Sequence, residues 1–297
     1  MKIQTHPTTV VVIGAGRVGT AVAVLLERVG HRVEAVSGGE QTRARARRYL
    51  PFATFVPAAK AHAASLSGKL IIIGVPDDAI AAACTRLAAV GGFRSGQRVL
   101  HLSGSVGLDA LEGAENMGAQ VLSLHPLQSF PNVEEGIRRL PGSGIAVTAR
   151  DEEGYAYGEA LGLDLSGRPF RLSDDVKPLY HAAAVFCSNY LVAVEGVADE
   201  LFRLAGLEDP LKLFGPLART ALEATLESGP RAAITGPAAR GDAGTIRRNL
   251  DALAARAPET VSPYVALARV ALGLAVAAGR LDEVRAEGVR EVLDQWR

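Results

Sequence analysis

The chain has 297 residues, nearly half of them apolar, with few aromatics and a formal net charge of zero. That length fits one large domain or two ordinary ones. The charge balance excludes the strongly basic surface that nucleic acid or an anionic membrane attracts. Two cysteines, Cys84 and Cys187, lie far apart in apolar settings. They lack the paired spacing of a metal site and the density of a disulfide scaffold, so no metal is expected and a reduced cytoplasmic protein is.

The run TVVVIG leads directly into a glycine turn, which reads as a strand and not as a secretion signal. A helix is predicted over residues 18–29, then a second strand at RVEAV, an arginine-bearing helix and a weak third strand at ATFV. KLIIIGV is a strong buried strand, followed by a helix over residues 77–89; QRVLHLS and AQVLSLHP complete the alternation. Strands separated by helices of this length imply a parallel sheet with right-handed crossovers. Their apolar residues face both ways, as a sheet covered on both sides requires.

Near Gly142 the rhythm changes. GIAVTA and RPFRLS are short strands around a helix that begins near Asp151. Beyond Ser173 only long helices are predicted, over residues 178–205, 210–228, 243–256, 263–278 and 281–296. Several carry Pro in the first turn, where its missing N–H costs nothing. The expected division is residues 1–172 and 173–297. The longest apolar stretch, YVALARVALGLAVAAG, is interrupted by Arg269 and is short for a bilayer, so no membrane span is expected. It is instead the helix expected to be buried or interfacial, in a homodimer formed through the helical domain.

VVVIGAGRVGTAV places Gly14, Gly16 and Gly19 in G-x-G-x-x-G spacing between a strand and a helix, in an alternating domain. Gly14 allows the tight turn, Gly16 lets a diphosphate approach the backbone, and Gly19 lets the helix pack close to the strand. With Ala15, Arg17 and Val18 they form the expected cofactor loop, whose helix start offers free N–H groups and a positive dipole end. This gives the first domain a Rossmann-type doubly wound α/β fold. Where a ribose-gripping acid would stand after strand two, the chain reads Ser37-Gly38-Gly39, followed by Arg43, Arg45, Arg47 and Arg48. A carboxylate there favours NAD, so Ser37 and Arg43 predict NADP. If strand two ended earlier, Glu34 would be the acid and the preference would reverse. The bland alternative is that these arginines form a solvated helix face.

In such sheets ligands bind at the carboxyl ends of the strands. Val75 and Pro76 follow the fourth strand, Ser103 the fifth, and His125 and Gln128 the sixth. His125 is a candidate proton donor or a structural loop histidine. His6, His31 and His62 are expected at the surface or at helix edges, and His101 as a satisfied buried histidine. In the helical half, DDVKPLYHAAAVFCSNYL carries Lys177, His181, Ser188 and Asn189 on an otherwise apolar helix. Buried without partners these groups cost a few kcal/mol, so they either satisfy one another or line a wet pocket, and the pocket is preferred. The loop ITGPAARGDAGT holds Arg240 and Asp242 among three glycines and a proline. Arg240 can grip a carboxylate through two parallel bonds. Asp242 can cap the next helix or hold a substrate amine or hydroxyl.

A glycine-fingerprint domain followed by an all-helical domain resembles the phosphogluconate and β-hydroxyacid dehydrogenase superfamily. TLESGPRAAITGPAARGDAGTIRRNLDAL resembles the corresponding segment of pyrroline-5-carboxylate reductases, from which it departs by carrying Arg240-Gly241-Asp242. HPLQSF, YHAAAVFCSNYL and GPAARGD together are most similar to a family of Rossmann-like oxidoreductases with a helical domain of unassigned function. The resemblance implies an all-α second domain of the phosphogluconate dehydrogenase C-terminal type. The expected activity is hydride transfer from NADPH to the C=O or C=N carbon of a small carboxylate-bearing metabolite. His181, Lys177 and His125 are the candidate proton donors, and Arg240, Asp242, Ser188, Asn189 and Gln128 the substrate-binding candidates. A non-catalytic dinucleotide sensor is the alternative, and a ketopantoate-type reductase a third, matched loosely through Lys177, Asn189 and Ser188.

Overall fold

The structure, a computed structural model, describes residues 6–296. The chain forms two compact units, Met1–Asn189 and Tyr190–Arg297. In the first, eight strands form one sheet: β1 (Thr9–Ile13), β2 (Arg32–Gly38), β3 (Thr54–Pro57), β4 (Leu70–Ile73), β5 (Arg98–His101), β6 (Gln120–Pro126), β7 (Gly144–Ala149) and β8 (Arg168–Arg171). Their order is β3-β2-β1-β4-β5-β6-β7-β8. Every neighbouring pair is parallel except β6 and β7, which run antiparallel. This is the doubly wound α/β arrangement expected, with one reversal that sequence patterning did not predict.

The helices of this unit are α1 (Arg17–Arg28), α2 (Glu40–Tyr49), α3 (Ala61–Ser67), α4 (Ile80–Ala89), α5 (Glu112–Glu115), α6 (Val133–Arg139), α7 (Glu152–Asp164) and α8 (Lys177–Cys187). Successive strand residues point to opposite faces, and both faces are covered. Val10, Val12, Leu70, Ile72, Leu100 and Leu122 pack into one core with residues of α1, while Val11, Ile13, Ile71, Ile73, Val99 and Val121 pack into another with residues of α4. Each fully buried aliphatic side chain of this kind contributes about 1.5–3 kcal/mol, which fixes the register and so the position of every strand end.

His31 departs from expectation. It is buried, with Nε2 3.2 Å from Asp164 Oδ2 on α7, while Nδ1 accepts the Thr8 N–H. The turn around it is at the surface, with Arg28, Val29, Gly30 and Arg32 exposed, and only the imidazole reaches inward to α7.

The second unit is helical: α9 (Asn189–Leu204), α10 (Pro210–Ser228), α11 (Pro230–Ala233), α12 (Pro237–Arg240), α13 (Ala243–Arg256), α14 (Val261–Ala277) and α15 (Glu283–Asp294). The single helix expected over residues 178–205 is two, because Ser188 leaves helical geometry (φ −123°, ψ −63°). A core of Ile246, Leu250, Val265, Leu272, Val289 and Leu293 joins α13, α14 and α15. Thus α14 buries one face within its own unit. Other helices carry apolar side chains that are more exposed: Leu179 on α8, Val192 on α9, and Leu217 and Leu226 on α10 are each 70% or more exposed. Two stretches, Asp174–Leu204 and Pro258–Ala277, are long and apolar enough to cross a membrane by length and composition.

Candidate functional site

The glycine loop leaves β1 with Gly14 at φ +78°, a conformation that disfavours a side chain. A Cβ there would lie 2.4 Å from Val75 Cγ1, so the loops after β1 and β4 approach as closely as they do only because position 14 is glycine. Gly14 N–H donates to Ser37 O at 2.7 Å, which locks the loop to the end of β2. Gly16 is the N-cap of α1 and offers no side-chain cap, leaving first-turn N–H groups for a ligand. A Cβ at Gly16 would meet nothing closer than Gly74 O at 3.7 Å, so the space beside it is open. Gly19 sits within van der Waals reach of Val12, holding α1 close to β1. Ala15 is buried, Val18 half-buried, and Arg17 donates to Pro131 O at 3.1 Å.

Strand β2 runs through to Gly38, so Glu34 lies within it, paired with Arg32, and is not the acid at its end. Ser37 is fully buried and its Oγ has no hydrogen-bond partner. Its hydroxyl is therefore not offered to a phosphate as the sequence suggests; what it contributes is the backbone oxygen held by Gly14. Gly39, the N-cap of α2, also lacks a side-chain cap. The arginines divide. Arg43 pairs loosely with Glu40 and lies over the Phe55 ring, and Arg48 bonds Glu134. Arg45 is the one that returns to the glycine loop, donating to Ala15 O at 3.4 Å and to Gln41 at 3.5 Å. Helical spacing explains this: Arg45 lies with Thr42, Ala46 and Tyr49 on the inward face of α2, whereas Arg43 and Arg47 are exposed.

At the ends of β5 and β6 the polar groups are side chains. Ser103 is buried; its Oγ donates to Asp77 Oδ2 at 2.5 Å, and its N–H bonds His101 Nδ1 at 3.2 Å. Lys177, at the start of α8, is fully buried and its Nζ donates to Ser103 O at 3.0 Å and Ser123 Oγ at 2.8 Å. Burial pulls this ammonium down to about 8, against the smaller pull of Asp174 and Asp77. Sequence reasoning took Lys177 as a proton donor. It is enclosed instead as a strut tying α8 to β5 and β6. His101 is buried with Nδ1 accepting the Ser103 N–H, and burial pushes it down to about 3.

His125, at the end of β6, has Nδ1 2.9 Å from the Tyr180 hydroxyl, and its ring meets those of Tyr180 and His181 edge-on at 5.5 and 6.1 Å. A Cβ on Gly104 would lie 2.9 Å from both His125 Nε2 and His181 Nδ1, so both imidazoles close on one glycine. Burial, then Lys177 and His181, push His125 down to about 4, keeping it neutral at ordinary pH. Sequence reasoning missed Tyr180 and did not single out Arg45 among the arginines; Gly104, in HLSGS, and Asp77, in GVPDD, lie in strand-end motifs that it marks.

Other candidates are exposed or already occupied. The Gln128 amide donates to Arg139 O and Ser143 Oγ, bracing the β6–β7 connection. Ser188 and Asn189 are exposed at the α8–α9 break. In the second unit Arg240 is exposed at the end of α12, and Asp242 caps α13, accepting from Thr245 N–H at 2.9 Å and Thr245 Oγ1 at 2.7 Å. Those bonds hold its carboxyl below the usual range. A cleft of about 500 Å³ in the same unit is lined by Pro258, Val261, Val265, Arg269 and Trp296. Among the described residues no group of three or more His, Cys, Asp or Glu is arranged to hold a metal.

Residues 1–126 match the Rossmann-like domain, and residues 143–271 match a domain of unknown function, DUF2520. No curated protein matches this sequence. Among solved structures, BF3122 of Bacteroides fragilis, provisionally assigned as an NADP oxidoreductase, is 26% identical over 90% of this chain and 98% of its own, with a TM-score of 0.73. A reductive aminase of Aspergillus terreus, in complex with NADPH and ethyl levulinate, is 22% identical over 98% of this chain and 100% of its own, with a TM-score of 0.59. An imine reductase variant of Myxococcus stipitatus, in complex with NAD+, is 17% identical over 98% and 99%, with a TM-score of 0.62. The last two are likenesses of fold.

Proposed function

We propose that this chain, one of the proteins that join a Rossmann-like domain to a DUF2520 domain, is an NAD(P)-dependent oxidoreductase that uses NADP and reduces a C=O or C=N bond in a small carboxylate-bearing metabolite. One observation carries the reading. A glycine loop with an uncapped helix start stands at the carboxyl end of β1, and at the carboxyl end of β6 in the same sheet His125 closes with His181 of α8 on Gly104. In that position a dinucleotide's diphosphate would lie on the first-turn amides of α1, with Arg45 beside it. The similar structures, one assigned as an NADP oxidoreductase and two in complex with NADPH and with NAD+, favour NADP with NAD second.

The bound cofactor would supply the hydride. The chain's own task is to orient substrate and to give a proton to the oxygen or nitrogen that gains charge, worth typically ~10²–10⁴-fold in rate. His125 and His181 are the donors in this reading, with Lys177 holding the frame, and Arg240 would receive the substrate carboxylate. The first test is titration calorimetry with NADPH and NADH on the wild type and on Arg45→Ala. Tight NADPH binding, weakened roughly tenfold in the variant with NADH weakened alike because the two share the diphosphate, fits the loss of one charge-assisted bond. No heat with either nucleotide ends the reading. NADPH oxidation is then followed against 2-keto acids and cyclic imines. Turnover supports the enzyme, with Arg240→Ala raising KM at unchanged NADPH affinity; tight binding with no turnover across the panel favours a dinucleotide sensor.

The exposed leucines of α8 and α10 support a homodimer formed through the helices, since a stable interface of standard size buries about 1,600 Å². Sedimentation should give twice the chain mass, and Leu217→Glu with Leu226→Glu should give monomer. A wild-type monomer that partitions onto vesicles would instead assign this surface to a bilayer.

A further inference from the structure

The rim of β6 holds a tyrosine for which the proton-donating pair alone does not account. Tyr180 lies in the first turns of α8, half-buried, its ring also edge-on to Phe170 of β8 at 6.0 Å. Its hydroxyl stands 2.9 Å from His125 Nδ1, and among the described residues this is its one hydrogen-bond partner. A neutral imidazole carries one ring proton, and the nitrogen that accepts a bond leaves that proton on the other. Burial pushes the Tyr180 phenol up to about 12, so at neutral pH it keeps its proton. Among the described residues the acceptor within reach of that proton is His125 Nδ1. The opposite edge of the ring, Nε2, is turned toward Gly104 and His181.

We propose that Tyr180 is the positioning residue of this site: its phenol donates to His125 Nδ1 and so places the ring proton on Nε2, the edge that would face substrate. The proposal rests on the oxidoreductase reading for its chemistry, though not for its structural content. In the reduction the hydride carries its electron pair from NADPH to the substrate carbon, and the π pair of the C=O or C=N bond moves to oxygen or nitrogen. That atom takes the proton from Nε2, Nδ1 takes the phenol proton, and the phenolate regains a proton from water. The direction is favourable for a carbonyl because an alkoxide is a stronger base than a phenolate. The titratable groups facing His125 are Lys177 and His181 on α8, which disfavour an imidazolium, and Asp77 beyond β4, which opposes them more weakly. A neutral donor whose proton is resupplied from behind suits these surroundings better than a cationic one.

The test needs no substrate. Full-length protein carrying ¹⁵N-histidine is examined by long-range ¹H–¹⁵N correlation, as wild type and as Tyr180→Phe. The expected result is a wild-type His125 with Nδ1 unprotonated and Nε2 protonated at neutral pH. In Tyr180→Phe the Nδ1 signal should shift toward the protonated position, and the imidazole should titrate at higher pH because the bond favouring its neutral form is gone. A wild-type His125 protonated at Nδ1 overturns the proposal, whether or not the variant folds. Unchanged tautomer populations in a variant whose buried His31 signals match wild type overturn it too. NADPH calorimetry on the same samples keeps the two claims separate: loss of binding in the wild type would remove the oxidoreductase reading and leave the tautomer result standing.

Discussion

The two halves of the sheet's carboxyl rim hold polar groups in different ways. At β1 and β2 the work is done by main chain: Gly14 N–H on Ser37 O, and glycine N-caps at positions 16 and 39 that leave helix amides open. At β5 and β6 it is done by side chains reaching across long sequence separations: Lys177 to Ser103 and Ser123, and Tyr180 to His125. A backbone site is specified by the absence of a side chain, and tolerates change at every atom except the missing Cβ. A side-chain site is specified by partners, and each partner is a separate point of failure.

The largest expected effect breaks the first kind. Gly14→Ala must place a Cβ at φ +78° and within 2.4 Å of Val75 Cγ1. The left-handed conformation alone costs roughly 1–2 kcal/mol and the overlap adds to it, so urea unfolding should show a loss of at least about 2 kcal/mol along with loss of NADPH binding. The second breaks the other kind. Lys177→Met removes the ammonium that donates to both Ser103 O and Ser123 Oγ, leaving the 3.1 Å bond from Ser123 Oγ to Ser103 O in place, and the two lost bonds cost about 1–3 kcal/mol by the same measurement. It also removes a positive charge that holds His125 down, so the His125 titration should move up in pH.

A smaller effect is in pH. Burial holds His101 down to about 3 and His125 to about 4, against an ordinary value of 6.5. Between those values the unfolded chain binds protons that the folded chain does not, so stability present above pH 6.5 falls as pH is lowered through about 4. His125→Asn should flatten that slope in unfolding curves measured from pH 7 to 4. The smallest change to the fold sharpens the contrast best. Gly16→Ala meets nothing closer than 3.7 Å, so its unfolding curve should overlay that of the wild type within about 1 kcal/mol. Its NADPH affinity should nonetheless drop, because the added methyl occupies the diphosphate's approach.

Legibility in the sequence follows the same division. The glycine loop could be read because its requirement is local. The bounds of α10 (Pro210–Ser228) and α13 (Ala243–Arg256) could be read because Pro at the first turn and the Asp242 cap are local too. The break at Ser188 had no proline or glycine to announce it. His31 could not be placed, since its partner Asp164 is 133 residues away. Arg45 was passed over for Arg43 because a run of arginines does not reveal which one turns inward, and Lys177 was read as a donor because its enclosure depends on Ser103 and Ser123, which only the β5–β6 pairing brings beneath it.

The reversal between β6 and β7 has a consequence for how this architecture tolerates insertions. In the parallel part of the sheet each connection leaves the carboxyl rim and returns at the far side. With β6 and β7 antiparallel, residues 127–143 leave and rejoin at the same rim, from Pro126 to Ile145 in register. That excursion carries Gln128 and Pro131, the latter bonded to Arg17 of the glycine loop, and α6, which packs on α1. It is a bridge from the His125 strand to the phosphate cradle. Lengthening or shortening it by even a residue would disturb both ends together, whereas the same change at the opposite side of the sheet would touch neither.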